Sequence, residues 1–319
     1  MTGDKTQMVN RIAGNIEQVI VGKREAVELV LMALMAGGHV LLEDMPGTGK
    51  TSLVSALAKS IDCGFKRVQF TPDVMPSDIT GFSIYNQKTN DFEFRPGAVM
   101  TNIVLADEIN RASAKTQSAM LEVMEERQVT VDGVTYRMPE PFVVLATQNP
   151  IEQYGTYPLP EAQLDRFLIK LSLGYLNMDD EVRAVMHSDD AKAAIRPVAS
   201  AEDVMVLREA VKRIHVEDDV ARYAVRIVAA TRTAPECAFG ASPRGSKSLI
   251  SMAQANALMR GRNYVSPDDI KYLAPYVLCH RISLTHQAKM EGQTPEKVIA
   301  TLLETIAAPT VSASQARGF

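Results

Sequence analysis

The sequence predicts an α/β fold, a three-layer domain around a parallel sheet, followed by an all-helical domain. Three observations carry this. Five short β-rich runs alternate with helical patterns up to about Gly174, and four of them are nearly continuous in apolar residues, as strands covered on both faces are. Polar or glycine-rich segments follow several of these runs directly, where the ligands of such sheets sit, beyond the carboxyl ends of the strands. After Gly174 the runs stop and helical periodicity takes over.

The runs are HVLLE (39–43), FKRVQF (65–70), NIVLADE (102–108), PFVVLAT (141–147) and FLIKLSL (167–173). Two segments do not fit a plain sheet and are expected as projecting hairpins. One, over 79–99, has alternating halves GFSIY and DFEFR around Lys88-Thr89-Asn90; the other, over 127–137, sets Asp132-Gly133 between two β-branched arms. In the carboxyl-terminal half, Ser200, Ser242, Ser266 and Thr294 each open a helix, the last three with proline at the first helical position. The expected organisation is an extension over 1–18, an α/β core over 19–174, a helical domain over 175–308 and a frayed tail over 309–319.

With 319 residues the chain is long for one core, which suits one large and one smaller domain. A formal net charge of −4 gives no global basic field, so nucleic acid is not an expected partner. Cys63, Cys237 and Cys279 are far apart and form no CxxC pair, which reads as reduced thiols in a cytoplasmic protein. The longest apolar run, 26–35, is interrupted by Glu28 and is too short to span a membrane, which takes about 20 residues. The start shows no signal-peptide core. A cytoplasmic, soluble protein without membrane insertion is expected.

The chemistry-bearing residues follow the runs. EDMPGTGKTSLVSALA (43–58) reads as a phosphate-binding loop opening a helix: backbone N–H groups over Pro46, Gly47, Thr48, Gly49, Lys50, Thr51 and Ser52 wrap the phosphates of ATP, Lys50 contacts them, and the Thr51 hydroxyl binds Mg²⁺. Asp44 stands where the strict motif has glycine, and is read as a tolerated variant at the strand end. NIVLADEIN (102–110) ends a buried strand in two acids, placing Asp107 at Mg²⁺ through water and Glu108 beside the attacking water; a strand-end acid that caps the next helix is the alternative. Asn149, after the PFVVLAT strand, is placed to bond the γ-phosphate or orient the water; an Asn before Pro is also a common turn former. Arg166, in LPEAQLDRFLIK (159–170), is a candidate arginine finger for a neighbouring subunit, with an ion pair to Asp165 or Glu161 as the alternative. Arg244 lies in the first turn of a helix, where the dipole disfavours a cation, so a phosphate nearby would explain it, with a plain surface arginine as the alternative.

In this order and spacing the elements resemble an AAA+ module, a P-loop NTPase sheet domain followed by a helical lid. VQFTPDVMPSDITGF (68–82), ADEINRASAKTQSAMLEVMEERQVTVDG (106–133) and LATQNPIEQYGTYPLPEAQLDRF (145–167) resemble the MoxR family nearly word for word. The resemblance implies the Walker A roles for Lys50 and Thr51, Walker B for Asp107 and Glu108, sensor 1 for Asn149, the arginine finger for Arg166 and sensor 2 for Arg244. It also implies adenine contact by Val21 and Gly22, and the helix-2-insert clade, whose insert and pre-sensor-1 hairpins match 79–99 and 127–137. Members are Mg²⁺-dependent ATPases that form rings, usually hexamers, act as chaperones on protein clients, and pair with proteins carrying von Willebrand factor A domains. Competing classes are a DNA-directed motor, disfavoured by a pI near 5.8 and a hairpin tip without basic residues, a nucleotide-gated binding protein with little turnover, and a metal-chelatase subunit.

Overall fold

The computed structural model describes residues 2–149 and 155–309. In chain order its first part runs α1 (Thr2–Glu17), α2 (Arg24–Ala36), β1 (Val40–Glu43), α3 (Lys50–Ser60), β2 (Phe65–Gln69), α4 (Pro76–Thr80), β3 (Gly81–Asn86), β4 (Asp91–Pro96) and β5 (Ile103–Asp107). It continues through α5 (Ala114–Glu126), β6 (Gln128–Val131), β7 (Val134–Arg137), β8 (Val143–Gln148), α6 (Glu161–Leu164), β9 (Ile169–Leu171), α7 (Met178–Ala194) and α8 (Ala201–Lys212).

All five expected runs enter one parallel sheet in the order β2-β5-β8-β1-β9. Burial explains their composition. β5 is buried along its whole length and β8 nearly so, whereas the edge strand β2, FKRVQ, has only half-buried and exposed residues. One side of the sheet carries a core that includes Leu41, Val104, Val144, Met120, Phe142 and Phe167. His39, on the approach to β1, is locked into this packing. Its Nδ1 accepts the Val144 N–H at 2.9 Å and its Nε2 lies 2.9 Å from the Met124 carbonyl. Burial pushes the imidazole down to about 4, so the neutral ring donates through Nε2.

Both expected hairpins form. β3 pairs with β4 from Gly81↔Pro96 to Asn86↔Asp91, and β6 with β7 from Gln128↔Arg137 to Val131↔Val134. The second turns at Asp132 (φ +50°) and Gly133 (φ +80°), the two left-handed residues of a type I′ turn. A two-stranded hairpin is only marginally stable alone, and these two lean on each other: the Phe94 ring stacks on Tyr136 at 3.9 Å between centroids. Farther out, Tyr85 (50% exposed) and Phe92 (68%) meet edge to face and stay open to solvent.

The chain divides into two compact units between Ala210 and Val211, past the expected boundary at 174/175. Hydrogen bonds that periodicity does not reveal explain the difference. The N–H groups of Val198 and Ala199 donate to the Ser60 carbonyl at 2.9 and 3.1 Å, and the buried Arg208 of α8 donates to Leu34 O at 2.9 Å.

The second unit contains α9 (Asp218–Ala230), β10 (Cys237–Phe239), α10 (Pro243–Met259), α11 (Pro267–Leu278), β11 (Ser283–Leu284), α12 (His286–Met290) and α13 (Pro295–Thr305). Ser242, Ser266 and Thr294 cap their helices as expected, accepting from the N–H groups of Arg244, Asp269 and Lys297; Ser200 does the same for α8 in the first unit. The unit is helical but for the antiparallel ribbon β10–β11, which no pattern in the sequence announced. Of the expected tail only Pro309 is described; the rest lies outside the described residues, as does the stretch 150–154. Among the described residues no helix is long and apolar enough to cross a membrane.

Candidate active site

The strand order brings the ends of β1, β5 and β8 side by side. After β1 the chain turns through Gly47 (φ +85°) and Gly49 (φ +90°), left-handed conformations that favour glycine. α3 then starts at Lys50 with no side chain capping its first turn, which leaves its backbone N–H groups open to a ligand, an arrangement suited to an anion. Lys50 Nζ donates to the carbonyls of Asp44 (2.9 Å) and Met45 (3.0 Å), which hold the ammonium over the loop.

Asp44 is more than a tolerated variant. It is buried, and its carboxylate accepts from Ser172 Oγ (2.6 Å), Leu173 N (2.6 Å) and Gly174 N (3.0 Å). The loop is thereby pinned to the chain leaving β9, two strands' ends fastened by one side chain. Hydrogen bonds to a charged group contribute about 1.5–3 kcal/mol, and orphaned buried N–H groups cost extra. Asp44→Ala is expected to lower stability by about 3 kcal/mol, seen as a reduced denaturation midpoint in urea, and to weaken nucleotide binding by loosening the loop.

β5 ends in the two acids. Asp107 is buried; its Oδ1 accepts from Thr147 Oγ1 at 2.6 Å and its Oδ2 from Arg67 Nη2 and Nε at 2.5 and 3.0 Å. Thr147 Oγ1 also accepts the Glu108 N–H at 2.8 Å, so one hydroxyl fixes both acids. Glu108 adopts φ +56°, an uncommon conformation for a side chain of its size and of the kind found at functional sites. Its Oε2 accepts from Gln69 Nε2 at 2.8 Å and lies 3.2 Å from Arg111 Nη1.

These residues line one cleft of ≈ 370 Å³, together with the loop over 46–52 and Asn149. Sequence reasoning placed Lys50, Thr51, Asp107, Glu108 and Asn149 here. It assigned no role to Arg67, Gln69 or Thr147, which line the same cleft. Val21 and Gly22 are not among its lining residues; they form the turn between α1 and α2, where Gly22 (φ +72°) packs so tightly that a Cβ would meet Asp180 Oδ2. Val19, not Val21, lines a second groove with Ser55 and Ile195 beside the first turn of α3.

Arg166 also stands apart from the cleft. Its Nε lies 3.2 Å from Glu125 Oε2 at the end of α5, a partner other than the Asp165 or Glu161 weighed as alternatives. Arg244 lies in the second unit, in the first turn of α10, as expected from the Ser242-Pro start.

Comparison with known proteins agrees with this geometry. Residues 39–169 match the family model described as "ATPase family associated with various cellular activities (AAA)", and residues 229–302 the one described as "AAA lid domain". The chain is 52% identical to "Uncharacterized protein YeaC" of Bacillus subtilis, over 96% of each chain. It is 43% identical to "Chaperone MoxR1" of Mycobacterium tuberculosis, covering 97% of this chain and 85% of the relative. A crystal structure from Cytophaga hutchinsonii superposes with a TM-score of 0.91 at 39% identity, over 97% of each chain. A phosphate-binding loop, a paired acid strand end, a parallel sheet and a helical lid thus coincide in one chain with relatives at this identity: the chain belongs to the MoxR family of AAA ATPases.

Proposed function

We propose that this ATPase works as a ring, a hexamer, in which ATP is hydrolysed between neighbouring chains and the energy is spent on remodelling protein clients. One observation carries the reading: the cleft gathers Lys50, Thr51, Asp107, Glu108 and Asn149, while Arg166 is outside its lining and paired with Glu125. The arginine that meets the γ-phosphoryl group is then Arg166 of the next chain. In this reading Lys50 and the loop N–H groups hold the phosphates, Asn149 orients the γ-phosphate or water, and Glu108 polarises the attacking water. The donor set of Thr51 hydroxyl and Asp107 carboxylate is hard oxygen, which fits Mg²⁺, and the guanidinium on Asp107 marks this carboxylate as a cation position. Mg²⁺ when bound neutralises charge on the phosphates.

Arg244, in the first turn of α10, takes the sensor 2 role that the family resemblance implies. The paired hairpins, with Tyr85 and Phe92 exposed, contact the client, and a von Willebrand factor A domain protein is the expected adaptor. The test is sedimentation of Glu108→Gln with ATP and Mg²⁺ across a range of protein concentrations. A six-chain species that needs ATP supports the ring; a monomer at every concentration contradicts it.

A further inference from the structure

The cleft contains a chain of contacts that the proposed roles leave unexplained. Arg67 Nη2 donates to Asp107 Oδ2 at 2.5 Å and to Gln69 Oε1 at 2.8 Å, and Gln69 Nε2 donates to Glu108 Oε2 at 2.8 Å. Alternation along β2 puts Arg67 and Gln69 on one face, and the register sets Gln69 beside Asp107. A guanidinium therefore sits on one of the two acids and is linked through one amide to the other.

We propose that Arg67 is a positioning residue that holds Asp107 in place of the divalent cation and gives way to it. This rests on the reading of Asp107 as the metal carboxylate. A guanidinium and a hydrated metal ion drawn to one carboxylate repel each other, so Arg67 swings out when the metal enters. Gln69 then loses the donor that fixes its amide, while Glu108 keeps its contact with Arg111 at 3.2 Å. Arg67 can move because its side chain is half-exposed on an edge strand, whereas Asp107 is buried and fixed by Thr147.

The test is Mn²⁺ binding to the full chain with ADP, titrated by electron paramagnetic resonance, for the wild type, Arg67→Gln, Asp107→Asn and the double variant. Removing a charge-assisted competitor is expected to tighten Mn²⁺ by about tenfold in Arg67→Gln. That gain is expected to vanish in the Asp107→Asn background, because Arg67 acts through this carboxylate. Unchanged or weaker Mn²⁺ binding in Arg67→Gln overturns the proposal, as does a gain that persists without Asp107, the mark of a general field. If Asp107→Asn alone leaves Mn²⁺ affinity unaltered, the metal role of Asp107 falls first, and this inference with it.

Discussion

Arg166→Ala is expected to lower kcat for ATP hydrolysis by about 10³-fold or more while ATP binding is retained. The argument is one of charge and place. Phosphoryl transfer spreads negative charge over the γ-phosphoryl oxygens, and an arginine brought to them acts on the transition state more than on the ground state. Within its own chain Arg166 pairs with Glu125 and does not line the cleft. The rival account is that Arg166 only closes this ion pair. Its side chains are 30% and 37% exposed, and such a pair contributes at most about 1 kcal/mol. On that account the Ala variant would turn over normally and lose a little stability. Steady-state kinetics beside binding of a fluorescent ATP analogue separates the two: a fall in kcat with unaltered affinity belongs to the finger, and normal kcat belongs to the ion pair.

Glu108→Gln is the second large effect, expected to cut turnover by about 10²–10⁴-fold. Glu108 has the attributes of a water-polarising base: a carboxylate at the end of a buried strand, in the phosphate cleft, held by backbone at φ +56° and by Gln69. Gln keeps the size and can still accept from Gln69, so the loop geometry and nucleotide binding should survive. What disappears is the charge that draws a proton from water. Single-turnover hydrolysis with excess enzyme measures the chemical step directly. A Gln variant that hydrolyses at the wild-type rate would remove Glu108 from this role and leave Asn149 to orient the water.

Much of this was legible in the sequence because local patterns carried it. Strands buried on both faces have to be apolar throughout, so HVLLE, NIVLADE and PFVVLAT announced themselves, and the glycines of the loop announced the phosphate site. The two hairpins were legible for a similar reason, since Asp132-Gly133 supplies the left-handed turn directly. Residues whose meaning comes from a neighbouring strand were silent. Arg67 and Gln69 look like the ordinary polar face of an edge strand until β2 is set beside β5. Thr147 looks like strand filling until the register of β8 on β5 brings it to both acids. Asp44 shows the same limit: its partners at 172–174 are far along the chain, and only the fold brings them together. The ribbon β10–β11 and the packing of α8 through Arg208 went unread for that reason too.

The central claim is that the site is completed by a second chain, and mixing two inactive variants tests it most directly. Arg166→Ala keeps an intact cleft and lacks the finger; Lys50→Ala keeps the finger and lacks a working cleft. Each is expected to be inactive alone. ATP hydrolysis that returns on mixing, and rises more steeply than linearly with total protein, is the predicted result. No recovery on mixing, together with wild-type activity per chain that is independent of concentration, would mean that each chain is complete in itself and would contradict the ring account.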